Sequence, residues 1–87
     1  MSYDKLPGNL GEGMRRYLER GVAPGDFMMA VLCNDLIRAV YHADDDNIHQ
    51  FKNIVTWLMA HAHVDSYGDP AKVAKWMREK RRLRIVT

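Results

Sequence analysis

The chain has a single cysteine, three prolines, no long apolar run and no stretch in which apolar and polar residues alternate. Each shortage excludes something. Lone Cys33 cannot close an internal disulfide or share a zinc ion with a second thiol. Set among Met28, Met29, Ala30, Val31 and Leu32, it lacks the electropositive surroundings that turn a thiol into a nucleophile, and reads as a small buried apolar residue. The histidines carry no His-x-x-x-His spacing: His61 and His63 stand two apart, on different faces of any helix, and His42 and His49 flank an acidic turn. Asp44, Asp45 and Asp46 lack the alternating oxygen ligands and distal glutamate of a calcium loop. No metal, no cofactor and no catalytic residue is expected, and the chain reads as a non-enzyme. The longest apolar run, residues 27–33, is far shorter than a membrane span, and residues 1–13 offer no apolar stretch for a signal peptide. The expectation is a soluble, cytoplasmic protein without a membrane partner.

What is present is helical. A length of 87 residues leaves room for one domain, 1–87, with one core hiding about 65% of the surface of the unfolded chain. The pattern predicts an all-α, compact bundle of about four helices joined by short connections. Helix one covers residues 9–20, with Leu10, Met14, Tyr17 and Leu18 on one stripe and Gly21 as its stop. Helix two begins near Phe27, capped by Asp26, and continues to about His42. Asp44, Asp45 and Asp46 suit the positive end of helix three, whose apolar positions are Ile48, Phe51, Ile54, Val55, Leu58, Met59 and Ala62. After a loop over residues 63–68, Asp69 caps and Pro70 opens helix four, which turns Val73, Trp76 and Met77 inward. Residues 80–87 read as a basic, flexible end, with 84–87 extended or disordered.

Helix two has almost no polar face. Phe27, Met28, Met29, Ala30, Val31, Leu32, Cys33, Leu36, Ile37, Ala39 and Val40 need cover on several sides, more than three neighbours of this size supply. A homo-oligomer is the expected remedy. On the same helix Asn34, Asp35, Arg38 and Tyr41 recur at i+3 and i+4 spacings and form one polar stripe. As a recognition stripe it offers a guanidinium for phosphate, an amide for a polar edge and a ring for stacking; as plain structure it is an Asp35–Arg38 ion pair facing solvent or an interface.

Charge changes sign along the chain. Residues 1–71 hold six Lys/Arg against ten Asp/Glu, whereas residues 72–84 hold seven against Glu79 alone. Lys72, Lys75, Arg78 or Glu79, and Arg82 recur at helical spacing beside Trp76, a positive ridge that attracts phosphates or simply solubilises a helix end.

The order Leu6-Pro7, Leu10, Gly13, Arg16-Tyr17, Gly21, Pro24-Gly25-Asp26-Phe27, Ala30-Val31-Leu32, Asn34-Asp35-Leu36 resembles a group of short proteins encoded by tailed phages and prophages. Ala43-Asp44, Tyr67-Gly68-Asp69-Pro70, Val73-Ala74 and Trp76 extend the likeness over most of residues 6–77, with Tyr67 where many relatives are expected to carry Trp. The resemblance brings an origin rather than a mechanism. It implies a protein that counters host defence by binding, and the leading expectation is an oligomer that sequesters a nucleotide signal or another anionic small molecule. The ligand residues expected are Arg16 and Arg38 for phosphate, Tyr17 for stacking, Asn34, Asp35 and Tyr41 for recognition, and Lys72 and Lys75 in reserve. The alternatives are a direct inhibitor of a host defence protein and a small helix-turn-helix regulator that binds nucleic acid.

Overall fold

In the computed structural model the described residues are 3–86, with side chains described through Leu83. The fold is all-α. A single 3-10 turn at Tyr3–Lys5 precedes α1 (Leu10–Arg20), α2 (Asp26–Leu32), α3 (Leu36–His42), α4 (Asp45–His49) and α5 (Phe51–His61). A second 3-10 turn at Val64–Ser66 then leads into α6 (Pro70–Val86). Among the described residues six α-helices thus stand where four were expected, because two of the expected four are broken.

The first break has a local cause. Asn34 adopts the left-handed conformation (φ 60°), which asparagine tolerates better than most residues. The N–H of Asn34 donates to Val31 O and that of Asp35 to Ala30 O, the paired bonds that finish a helix around a left-handed residue. Asp35 then caps the next helix by accepting from Arg38 N (3.2 Å). One apolar run therefore becomes two seven-residue helices packed on each other. The second break, at Gln50, is a bend: its backbone leaves helical geometry (φ −98°, ψ 7°), but its carbonyl accepts from Ile54 N, so α5 starts at once.

Caps elsewhere follow side-chain chemistry. Asp44 accepts from Asn47 N (2.7 Å) and Asp69 from Lys72 N (2.8 Å), as expected of acidic groups at helix starts. Asp26 does not cap. It is the first residue of α2, and Gly25 holds the cap position without a side-chain bond. Gly21 ends α1 in the left-handed region (φ 71°), as expected. The C-terminal backbone is helical through Val86 rather than extended over 84–86, and Thr87 lies outside the described residues.

The core gathers Met14, Tyr17 and Leu18 from α1, Phe27, Met28, Ala30 and Leu32 from α2, Ala39 from α3, Ile54, Trp57 and Leu58 from α5, and Val73 from α6. Trp57 was absent from the expected apolar set, whereas Ile48 and Met59, which were in it, are exposed. The last helix lies against α1. Trp76 Nε1 donates to Tyr17 O (3.3 Å) and Arg81 Nε to Gly21 O (2.9 Å), while Lys80 Nζ stands 4.7 Å over the Trp76 ring.

Candidate interaction surface on the third helix

Two turns of helix, anchored by one side chain, carry the most unusual surface of the molecule. Ala39 is the buried residue of α3. Around it Leu36, Ile37, Val40 and Tyr41 are 62%, 80%, 49% and 82% exposed. A well-packed domain shows such side chains singly, and contiguous apolar patches mark contact sites. The surplus that the sequence placed on helix two is thus divided: α2 spends its apolar residues on the core, and α3 presents its own to solvent.

Beside α3 runs a groove of about 400 Å³, bounded by α2, α3, α5 and the loop at Tyr67 and Gly68. Ala30, Ala39 and Leu58 are its buried lining, and Leu36, Val55 and Met59 its more accessible apolar lining. Polar contributions come from Asn34 and Asp35 at the α2–α3 turn. Its size falls within the range of ligand pockets, and its chemistry suits an apolar group.

The expected ligand residues are scattered by the fold. Asp35, Arg38 and Tyr41 do meet, in an open depression with Ile37 and His42. There Arg38 Nε stands 3.7 Å from Asp35 Oδ2, both groups largely exposed, which is worth little in stability. Asn34 lines the apolar groove instead. Arg16 is on α1, its Nε 3.4 Å from Glu12 Oε1, so it and Arg38 each face a carboxylate of their own neighbourhood. Lys72 and Lys75 line a different cleft with Asp65, Trp76 and Glu79, two cations against two carboxylates.

Tyr17 cannot stack on a ligand. It is fully buried, and its hydroxyl donates to Ser66 O (2.6 Å), tying α1 to the 3-10 turn before α6. Burial, with Cys33 as a lesser neighbour, pushes its phenol well above the ordinary value of 10. The folded chain therefore keeps a proton that the unfolded chain releases above pH 10, and the associated stability is present below that pH and lost above it. Wild type should lose about 1.4 kcal/mol per pH unit more than Tyr17→Phe there; urea unfolding of both at pH 9 and about 11 measures the difference, and parallel losses would refute it.

Trp76 is also occupied, with His63 stacked on it at 5.8 Å and Lys80 over its ring. Cys33 closes α2 half-buried, and burial, then Asp35 and Asp69, hold its thiol above the usual range, which disfavours thiolate. Among the described residues no three His, Cys, Asp or Glu side chains assemble as metal ligands. No helix of the described residues is long and apolar enough to cross a membrane.

Comparison with family models, with curated proteins and with solved structures finds no match in any of the three. The geometry of α3 and its groove is therefore the basis for a functional reading. Its residues were only half visible beforehand: Asn34, Asp35, Arg38 and Tyr41 stood out as polar interruptions, while Leu36, Ile37 and Val40 were counted into one continuous apolar helix whose surplus a second copy was expected to cover. The signal that could have found them is the Asn-Asp pair, a helix stop followed by a cap, in the middle of an apolar run.

Proposed function

We propose that the chain is a non-catalytic binding protein that acts by gripping another polypeptide across α3 and the adjoining groove. One observation carries this: four large apolar side chains of a seven-residue helix stand between 49% and 82% exposed, next to an apolar groove. The chemistry fits an amphipathic helix that inserts one or two apolar side chains into the groove and lies along Ile37 and Tyr41. Asp35 and Arg38 supply a charge of each sign at the edge, where they orient a partner more than they strengthen its binding. The phage-type residue pattern makes a host defence protein the target, inhibited by contact in the host cytoplasm.

The nucleotide-sequestering reading has less support, because Tyr17 is in the core and Arg16 and Arg38 belong to different elements. A second copy of the chain on the α3 face is the other occupant, and molar mass in solution distinguishes it.

Ile37→Asp with Tyr41→Asp should leave the helical circular dichroism unchanged and weaken partner binding about 100-fold, as expected when two exposed apolar contacts become buried unpaired charges. The measurement is pull-down from host lysate with wild type and variant, followed by titration of the purified target. Equal binding by wild type and variant would refute the α3 surface. A thermal shift with a nucleotide that Arg38→Ala abolishes would favour the signal-binding reading instead.

A further inference from the structure

The outer face of α6 forms a second surface, of opposite character. At about 100° per residue, Lys75, Arg78 and Arg82 fall within about 60° of one another, on the side of the helix opposite buried Val73. All three are exposed. None forms an ion pair with a described carboxylate, in contrast to Arg15, Arg16 and Arg38, each of which faces an acidic side chain. Of the acidic residues near the ridge, Asp65 and Glu79 share the cleft of Lys72 and Lys75, and Glu79 also stands three residues before Arg82 on the same exposed face, so Arg78 is left with the least compensation.

The helix is held rigidly enough to present these charges in fixed order. Val73, Trp76 and Met77 pack into the protein, Lys80 covers the Trp76 ring and Arg81 is bonded to Gly21 O. A seventeen-residue helix extends about 25 Å. Along it Lys75, Arg78 and Arg82 span about 10 Å, the length over which one strand of a duplex offers about three phosphates.

We propose that this face binds the phosphate backbone of duplex nucleic acid without reading its sequence, through Lys75, Arg78 and Arg82. Charge complementarity and spacing select this partner. An acidic membrane is the poorer match, because the apolar side of α6 is packed into the protein and, among the described residues, Leu83 is the one large apolar side chain on its exposed surface. Base readout is not expected either: Trp76 is engaged by His63 and Lys80. The inference is independent of the α3 surface.

Three neutralised phosphates give a slope of log affinity against log salt of about −2.7, a loss of about 40-fold between 50 and 200 mM salt. Fluorescence anisotropy of a labelled DNA duplex with the full chain tests it. Arg78→Ala with Arg82→Ala, at unchanged circular dichroism, should reduce that loss to about 3-fold and lower the affinity at 50 mM salt, because one contact remains. The proposal is overturned if wild type does not bind the duplex at 50 mM salt, if the double variant binds with the wild-type slope, or if vesicles containing phosphatidylserine are bound and the duplex is not.

Discussion

Gly21→Ala should cost about 4 kcal/mol and separate α6 from α1. The position demands glycine twice. Its backbone is left-handed (φ 71°), where a side chain costs about 1–2 kcal/mol. A Cβ there would also collide with Met77 O and meet Lys80 Cβ at 3.0 Å. The carbonyl belongs to the α6 backbone and has no rotamer to escape into, so the helix itself must shift, at a cost of about 1–3 kcal/mol. That shift would also break the bond from Arg81 Nε to Gly21 O. Gly13→Ala is the control, since nothing lies within 4 Å of its Cβ position in mid-helix. It should stabilise by about 0.5–1 kcal/mol. Thermal unfolding of the two variants should move the midpoint in opposite directions, and a Gly21→Ala protein as stable as wild type would overturn the account of the α1–α6 junction.

Tyr17→Ala should cost about 3–5 kcal/mol, the range for truncating a fully buried aromatic side chain. For a domain of this length that is a fall in midpoint of roughly 15–30 °C. Two losses combine. The ring leaves a cavity among the buried side chains of the core, and the carbonyl of Ser66, itself buried, loses the hydroxyl that donates to it. Tyr17→Phe isolates the second loss and should cost about 1–3 kcal/mol. A ligand-stacking tyrosine would behave otherwise: its truncation would lower affinity and leave the midpoint near that of wild type. Denaturant unfolding of both variants decides between these roles.

The parts of the fold that could be read in advance are those fixed by chemistry within a few residues. Gly21 after a periodic segment, Asp69 before Pro70, and Asp44 before an apolar stripe each announce a helix end because the backbone there needs a left-handed residue or a carboxylate acceptor. Met14, Tyr17 and Leu18 were placed on the buried face by periodicity alone. The break at Asn34 was harder, since the apolar pattern on both sides is continuous and the stop depends on one residue taking φ 60°. Exposure was harder still. Leu32 and Ile37 are chemically alike, yet one is fully buried and the other 80% exposed, and only the rotation imposed by the Asn34 turn separates them. Tyr17 carried two expectations at once, a place on the apolar stripe of helix one and a ring for ligand stacking, and full burial leaves the first. The stripe of Asp35, Arg38 and Tyr41 was legible because i+3 neighbours on one helix meet whatever the tertiary structure does.

The Asn34 turn also has a consequence in time. A seven-residue helix is well below the length that persists unaided in water, and α3 is secured by its Asp35 cap and by the burial of Ala39. Its hydrogen bonds are therefore among the first that thermal motion opens, while α1 and α5, longer and with several buried side chains each, stay closed. A partner that docks there meets a helix that forms and melts repeatedly, and its binding must include the cost of holding those two turns in place. The exchange is lower affinity for each contact made, against a surface able to adjust its shape to more than one target.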